Sequence, residues 1–221
     1  YENSIVHIDW INAEEINDDN VADILAGADG ILVPGGFGQR GIEGMIKAIR
    51  YAREEKIPFL GICLGMQLAS IEFARNVCHL PDVNSIEFDD MCETPLIHLM
   101  SDQTLDDMGG TQRLGNYDCE LLKGSRVYDL YGKELIQQRH RHRYEFNNKY
   151  KDILEQHGLV VSGKNPERNL VEIIELKDHP YFVACQFHPE FSSRPNRSEP
   201  LFQGLITAAY HQKYDKKNIQ K

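Results

Sequence analysis

The chain has 221 residues, of which 41% are hydrophobic and 26% charged, as expected for one large globular α/β domain with a substantial core. Its net charge of −10 argues against general affinity for nucleic acid or for acidic membranes, because such binding needs a basic surface. No apolar run approaches the roughly 20 residues of a membrane-spanning helix. These properties favour neither a membrane protein nor a nucleic-acid-binding protein.

The cysteines are odd in number, scattered and never spaced as CxxC. They are Cys63, Cys78, Cys92, Cys119 and Cys185. This pattern indicates neither a disulfide framework nor a zinc site. A reducing cytoplasm is the simplest setting for these thiols.

Predicted strands and helices alternate in the first part of the chain. The strands are predicted at residues 5–10, 30–33 and 57–62, and the helices at residues 20–25, 42–54 and 64–74. This alternation predicts an α/β fold, with an open, mostly parallel twisted sheet and helices on both faces.

The second part of the chain is predicted to hold more strands. Residues 81–118 are irregular and polar and are interpreted as an insertion. The later elements are strand-like runs at 141–146, 159–162, 170–176 and 182–187, a helix at 200–211 and a charged tail at 213–221. No linker or repeat interrupts the chain, so residues 1–221 are predicted to form one domain.

The start of the sequence is unusual for such a sheet. The chain begins at Tyr1, without Met, in a segment that leads directly into a predicted strand. A parallel sheet of this kind normally has another strand before that point. We therefore expect the sequence to be a piece of a longer protein.

Two patterns of nucleotide-binding proteins are present. Residues 36–41 (GFGQRG) match GxGxxG, but the next strand ends in Gly61-Ile62-Cys63, without the acidic residue that holds a ribose. Residues 158–164 (GLVVSGK) match GxxxxGK, but Asn165 and Pro166 follow, and a strand is predicted where a phosphate loop would be. Neither match favours nucleotide binding.

A stronger motif lies between a predicted buried strand and a predicted helix. Residues 61–65 (GICLG) have the form of a nucleophile elbow with cysteine as the nucleophile. Small residues two positions on either side permit the strained turn, and the start of a helix favours the reactive thiolate of Cys63. The alternative is a buried structural cysteine in a glycine-flanked turn.

The second component is His188-Pro189-Glu190, directly after a predicted apolar strand. In an extended segment the side chains of residues 188 and 190 project to the same side, and Pro189 biases His188 towards extended geometry. The Glu190 carboxylate could then orient the His188 imidazole. Alone, this tripeptide would more often be a surface turn, but with the elbow it predicts a Cys–His–Glu triad.

The third component is the glycine-rich run at residues 34–38 (PGGFG). Glycines there would let backbone N–H groups approach a ligand closely, as an oxyanion hole requires. The N–H of Leu64, directly after the nucleophile, is the expected second donor. The alternative is a plain glycine-rich turn.

These motifs, in this order, resemble the triad-type (class I) glutamine amidotransferases, and the similarity spans nearly the whole chain. Within that family, the chain resembles the glutaminase half of the CTP synthases. The residues that carry this second resemblance are 35–44 (GGFGQRGIEG), 110–115 (GTQRLG), 139–147 (RHRHRYEFN) and 187–198 (FHPEFSSRPNRS).

The resemblance implies roles for further residues. Gly36, Leu64, Gly65, Met66 and Gln67 would line a glutamine pocket. Glu87 would contact the amino group of glutamine, Arg143 its carboxylate, and Phe37 and Arg40 would border a site for GTP. From charge alone, residues 139–143 could equally be a solvated strand face. His140 and His142 do not indicate a metal site, because no acidic or Cys ligands accompany them.

The expected reaction is glutamine hydrolysis. The Cys63 thiolate attacks the amide carbon, N–H groups of Gly36 and Leu64 hold the oxyanion, and His188, oriented by Glu190, protonates the departing ammonia and later activates water. The domain itself would need no cofactor and no metal.

The resemblance also implies partners for the domain. In the intact protein an amidoligase domain of the same chain would aminate UTP to CTP with ATP and Mg²⁺, GTP would be an allosteric activator, and the assembly would be a homotetramer. By the same resemblance, we expect that amidoligase domain and the first strand of the amidotransferase sheet to lie outside the 221 residues. Three alternatives stay open: the glutaminase of another synthase, a γ-glutamyl hydrolase, and a non-catalytic glutamine-sensing domain.

Overall fold

The structure is a computed structural model and describes residues 4–99 and 112–219, with side chains up to residue 214. The helices are α1 Val21–Ile24, α2 Ile42–Glu54, α3 Leu64–Asn76, α4 Arg126–Tyr131, α5 Lys151–Gln156 and α6 Pro200–Ile219. The strands are β1 Ile31–Val33, β2 Phe59–Ile62, β3 Val83–Ser85, β4 Thr94–Leu99, β5 Arg113–Leu121, β6 Leu135–His142, β7 Tyr144–Phe146, β8 Leu159–Lys164, β9 Val171–Leu176 and β10 Phe182–Cys185. Single 3₁₀ turns lie at Ala13–Glu15, Asn148–Tyr150 and Pro189–Phe191.

The main sheet has the strand order β1-β2-β10-β9-β8-β5-β6. β1, β2 and β10 pair in parallel, whereas each later neighbour pairs antiparallel. Five of these seven strands run in one direction, and β9 and β5 run in the other. The predicted α/β class with a mostly parallel sheet is confirmed.

Helices cover both faces of the sheet. The side chains of β2 point alternately to the two faces, and on each face they are buried in a different hydrophobic cluster. Phe59 packs in the cluster that contains α2 and α3. Leu60 and Ile62 pack in the second cluster, which contains Val127 of α4 and Leu201 of α6. The carboxyl end of β2 is therefore held firmly from both sides.

The predicted helix at residues 42–54 is confirmed at both ends as α2. Its face of Ile42, Ile46 and Ile49 is buried, as the helical spacing requires. Gly44 allows the 3₁₀ turn at Ala13–Glu15 to pack on the helix, since a Cβ there would lie 1.8 Å from the carbonyl oxygen of Ala13.

The prediction of a strand at residues 5–10 is wrong. No strand of the described residues pairs with this segment, and Ile5 and Trp10 are 85% and 90% exposed. β-branched and aromatic residues favour extended backbone, but a strand also needs a partner for its N–H and C=O groups.

The interpretation of residues 81–118 as an irregular insertion is also wrong in part. This segment contains β3, β4 and the start of β5, while residues 100–111 lie outside the described residues. β3, β4 and β7 form a second sheet of three strands. The pairing of β4 with β7 joins distant parts of the chain, so no local pattern indicates it.

The helices predicted at 20–25 and 64–74 agree with the structure within two residues at their ends, and so do the strands predicted at 30–33, 57–62, 159–162, 170–176 and 182–187. The strand predicted at 141–146 is wrong in its bounds, because β6 already begins at Leu135 and β7 is a separate strand. The helix predicted at 200–211 continues to Ile219, so most of the predicted tail is helical. The GxxxxGK match at 158–164 falls on strand β8, as its apolar residues predicted. The helices α4 and α5 were not predicted. Among the described residues no helix combines the length and apolar character needed to cross a membrane.

Candidate active site

The elbow at Cys63 forms as the sequence predicts. β2 ends at Ile62, Cys63 has φ +50° and ψ −100°, and α3 begins at the next residue. A Cβ on Gly61 would lie 2.7 Å from the carbonyl oxygen of Gly65, and one on Gly65 would lie 2.3 Å from that of Val33. Glycine at both positions is therefore a steric requirement of the turn.

Cys63 is held at the carboxyl end of the parallel strands. The backbone N–H of Cys63 donates to the carbonyl oxygen of Cys185 on β10, at 2.7 Å. Cys63 is only 4% exposed. Leu64 occupies the first turn of α3, where backbone N–H groups have no partner within the helix. Those N–H groups and the helix dipole favour an anion at this position.

His188 and Glu190 lie side by side just beyond β10. Nδ1 of His188 is 2.6 Å from Oε1 of Glu190, and the backbone N–H of His188 donates to the carbonyl oxygen of Arg139 at 2.8 Å. The pairing was expected from extended backbone, but Pro189–Phe191 is a 3₁₀ turn, and His188, with φ −110° and ψ 87°, lies outside strand geometry. The turn, rather than strand alternation, brings the carboxylate to the imidazole.

Cys63, His188 and Glu190 influence one another's protonation. The hydrogen bond with Cys63, and after it the bond with Glu190, raise the pKa of His188 from 6.5 to about 10. Burial alone would raise the pKa of Glu190, but the hydrogen bond and the charge of His188 lower it instead. At neutral pH the imidazole is therefore protonated, between two groups that favour its positive charge.

The glycine-rich run at residues 34–38 lies against the same residues. A Cβ on Gly35 would be 2.8 Å from Cε1 of His188 and 3.5 Å from Cβ of Cys63. A Cβ on Gly36 would be 3.1 Å from Cδ2 of Leu64. The structure therefore brings together the three motifs singled out in the sequence, with the backbone at residues 35–36 beside the cysteine.

Glu87 supports this loop from the second sheet region. Its Oε1 accepts the backbone N–H of Gly38 at 2.9 Å. Burial raises the pKa of Glu87, opposed by that hydrogen bond and by the nearby charge of Arg143. The two residues expected to contact the ends of glutamine thus lie within electrostatic reach of each other.

The other residues expected at the glutamine pocket and the GTP site differ in how exposed their side chains are and in what those side chains contact. Met66 is 1% exposed and packs in the core, so only its backbone is placed near Cys63. The Gln67 side chain is buried and donates from Nε2 to the carbonyl oxygen of Tyr144 and to Oε1 of Gln186, at 3.0 Å and 3.2 Å. Phe37 is 90% exposed, and the exposed Arg40 pairs with Glu14 at 2.7 Å.

The run at residues 139–143 is not a wholly solvated strand face. On β6, Arg139 and Arg141 are exposed while His140 and His142 are buried. Burial, and then the charge of Arg113, lower the pKa of the two imidazoles to about 2 and about 3, so both are neutral. No group of acidic, His or Cys residues in the described part of the chain could hold a metal ion.

Gln186 is a site residue that the sequence analysis missed. It follows β10 directly, is 1% exposed, and its Nε2 lies 3.5 Å from Sγ of Cys63. Its position two residues before His188 is the only local signal, and nothing in that spacing indicates contact with a cysteine 123 residues away.

This fold, with Cys63, His188 and Glu190 grouped at the carboxyl end of its parallel strands, has the arrangement expected of a triad-type amidotransferase. The model of the family described as glutamine amidotransferase class-I matches residues 1–208. The chain belongs to the class-I glutamine amidotransferase family, in the branch of the CTP synthase glutaminase domains. This placement within the family rests on the following similarities.

The chain is 61% identical over 205 residues to the CTP synthase of Geobacillus kaustophilus, a match that covers 92% of this chain and 39% of the relative. It is 56% identical over 205 residues to that of Bacillus subtilis, covering 92% of this chain and 38% of the relative. The solved glutaminase domain of Trypanosoma brucei CTPS, with bound acivicin, is 37% identical at a TM-score of 0.87, covering 93% of this chain and 81% of that one. The chain thus spans about 39% of the length of the curated relatives it matches.

Proposed function

We propose that this chain hydrolyses the side-chain amide of glutamine through a thioester on Cys63. The observation that carries the proposal is the contact of Cys63 with His188, whose ring is held 2.6 Å from Glu190. An imidazole with a raised pKa remains protonated at neutral pH, and its positive charge favours the neighbouring thiolate. This is the activated state that a cysteine nucleophile needs.

In the first half of the reaction, the Cys63 thiolate attacks the amide carbon and the carbonyl oxygen takes the negative charge. N–H groups of Gly36 and Leu64 stabilise that oxyanion, a contribution worth about 3–4 kcal/mol per donor in comparable sites. His188 gives its proton to the amide nitrogen, the C–N bond breaks, and ammonia leaves. The products of this half are a glutamyl thioester and a neutral imidazole.

In the second half, neutral His188 takes a proton from water, which attacks the thioester carbon. The C–S bond breaks, glutamate is released, and the thiolate–imidazolium pair is restored. Glu190 holds the ring in one orientation throughout, because Nδ1 donates to its carboxylate while Nε2 is left for the transferred proton.

The pocket residues provide recognition of a free amino acid. Glu87 would accept the substrate ammonium group and Arg143 would bind its carboxylate in a planar, bidentate contact. Both hydrogens of the Gln67 amide nitrogen already have protein acceptors, so Gln67 would contact substrate only through its oxygen. Leu64, Gly65 and Met66 would contribute backbone groups from the first turn of α3.

For the whole protein, we propose a CTP synthase. The named relatives are CTP synthases and are more than twice as long as this chain, which supports a further domain in the same polypeptide. That amidoligase domain would use ATP and Mg²⁺ to accept ammonia onto UTP, in a homotetramer. GTP would activate hydrolysis next to Phe37 and Arg40. The free cysteines fit a cytoplasmic location.

The proposal is tested by supplying glutamine to the full-length protein and measuring glutamate and ammonia. We expect Cys63→Ala to abolish release of both. The matched control is Cys78→Ala, since Cys78 is also a buried thiol but contacts the carbonyl oxygen of Ile153. Full glutaminase activity in Cys63→Ala would refute the nucleophile assignment.

The same variants separate the rival functions. With UTP, ATP and Mg²⁺, Cys63→Ala should form CTP from ammonia but not from glutamine, because only the supply of ammonia is lost. A wild-type protein that cleaves γ-glutamyl peptides and forms no CTP would instead be a γ-glutamyl hydrolase. A folded wild type that neither turns over glutamine nor is labelled by acivicin at Cys63 would be a glutamine-sensing domain.

A further inference from the structure

The side chain of Gln186 connects the cysteine to the interior of the domain. Its Nε2 lies 3.5 Å from Sγ of Cys63, and its Oε1 accepts Nε2 of Gln67 at 3.2 Å. Gln186 and Gln67 are only 1% and 3% exposed. Water therefore does not compete for these contacts, and a buried amide of this kind is retained only with its hydrogen bonds made.

The orientation of the Gln186 amide follows from its partners. The carbonyl oxygen of Tyr144 can only accept, so the Gln67 atom 3.0 Å from it is the amide nitrogen. That nitrogen also faces Gln186, so the Gln186 atom opposite it is the oxygen. The nitrogen of Gln186 is consequently turned towards Cys63 and donates to its sulfur.

Two buried histidines fix the other end of this chain of hydrogen bonds. Nδ1 of His142 lies 2.9 Å from the carbonyl oxygen of Tyr144 and so carries a hydrogen, which leaves Nε2 of the neutral ring as an acceptor, 3.1 Å from Nδ1 of His140. The His142 ring is neutral, as an accepting Nε2 requires. The Tyr144 carbonyl is therefore held in place by His142 and orients Gln67.

We propose that Gln186 is a catalytic residue that stabilises the Cys63 thiolate by donating an N–H hydrogen bond to Sγ, and that Gln67 is the positioning residue that holds it in the donating orientation. The inference rests on the proposed role of Cys63 as nucleophile. The thiol proton passes to His188, whereas Gln186 keeps its proton. A donor to an anion binds more strongly than the same donor to a neutral thiol, so the bond favours the thiolate.

The test measures the thiolate itself. In the full-length protein, the rate of Cys63 carbamidomethylation by iodoacetamide is followed across pH without glutamine. Trypsin releases residues 57–75, in which Cys63 is the single cysteine, so the product is quantified by mass spectrometry. Gln186→Met keeps a similar side-chain volume without a donor. We expect its pH profile to move up by about one unit, with about tenfold slower labelling on the acid limb.

The matched control is Gln138→Met. Gln138 is also a buried glutamine, 4% exposed, but its partners are Tyr131, Glu199 and Ser192 rather than the cysteine. Its labelling profile should overlay that of the wild type. Where Gln186→Met proves unstable, Gln186→Leu provides a second variant, and thermal unfolding verifies that each labelled sample is folded.

A Gln186→Met profile that overlays the wild type would overturn the proposal, and so would an equal shift in Gln138→Met. Failure of the proposed function is recognised separately. If Gln186→Met shows the shift but the wild-type protein releases no glutamate, the role of Gln186 as donor is supported and the glutaminase function is refuted. If the wild-type protein hydrolyses glutamine but Gln186→Met shows no shift, the glutaminase function is supported and the role of Gln186 as donor is refuted.

Discussion

Gly35 and His188 are in such close contact that a Cβ on Gly35 would lie 2.8 Å from Cε1 of the His188 ring. Side-chain carbons essentially never approach this closely, so the ring or the loop must move when any other residue replaces the glycine. The Glu190 carboxylate therefore holds the imidazole by a hydrogen bond, and the ring occupies space that a side chain at residue 35 would fill.

Gly35→Ala should therefore lower kcat for glutamine hydrolysis by about 100-fold, because small displacements of catalytic groups cost about that much. The control is Gly30→Ala, where the new Cβ would meet its neighbours at 3.5 Å or more, an ordinary contact distance. Steady-state kinetics at neutral pH compare the two. Equal activity of Gly35→Ala and the wild type would mean that His188 can move without consequence.

Glu190→Gln should lower kcat by about 10²–10⁴-fold, since a triad carboxylate both orients the imidazole and stabilises its charge. It should also shift the basic limb of the pH–rate profile to lower pH. The reason is that His188, with its pKa raised to about 10, loses one of the two partners that favour its proton. Glu134→Gln is the control, because Glu134 pairs with exposed Lys123. A basic limb at unchanged pH would contradict the role given to Glu190.

Arg113 and Glu172 form an ion pair of 2.5 Å in which both side chains are at most 1% exposed. Burial raises the pKa of Glu172 to about 7 even beside Arg113. Above that pH, Arg113→Met should reduce the free energy of unfolding by about 3–5 kcal/mol, since it leaves a buried carboxylate without its cation. The double variant Arg113→Met/Glu172→Leu should recover most of that loss. Urea denaturation measures both, and a double variant less stable than the single one would show that the pair itself is strongly stabilising.

Glu199 gives a pH dependence of stability with a defined sign. Burial raises its pKa to about 7, although Tyr131 and the backbone N–H of Leu201 donate to it. The folded state keeps this proton up to about pH 7, whereas the unfolded chain releases it near pH 4.5. Stability contributed below pH 4.5 is therefore lost as the pH rises to 7, by at most about 1.4 kcal/mol per pH unit.

Glu199→Gln removes this titration. Between pH 4.5 and 7, its free energy of unfolding should fall less steeply than that of the wild type. Chemical denaturation at several pH values gives the two slopes, and Glu134→Gln, on the surface, should follow the wild-type slope. Parallel slopes for Glu199→Gln and the wild type would show that Glu199 ionises normally in the folded protein.

The sequence by itself determined the elements whose causes are local. The spacing of apolar residues gave α2 at both ends, and the glycines on either side of Cys63 indicated the elbow because the turn has no room for other residues there. His188 and Glu190 could be paired from the sequence because they are two positions apart, although a 3₁₀ turn rather than a strand joins them.

Tertiary structure decided what depends on residues far apart in the chain. Residues 5–10 have the composition of a strand but lie exposed without a strand partner among the described residues. β3 and β4 lie in a segment interpreted as irregular, and they form strands because they pair with each other and β4 pairs with β7. Gln186 reaches Cys63 only because β10 pairs with β2, and the Tyr144 carbonyl reaches Gln67 only because β7 lies beside α3. Hydrogen bonds of buried amides depend on packing across the whole domain, and a local pattern of residue types carries no record of that packing.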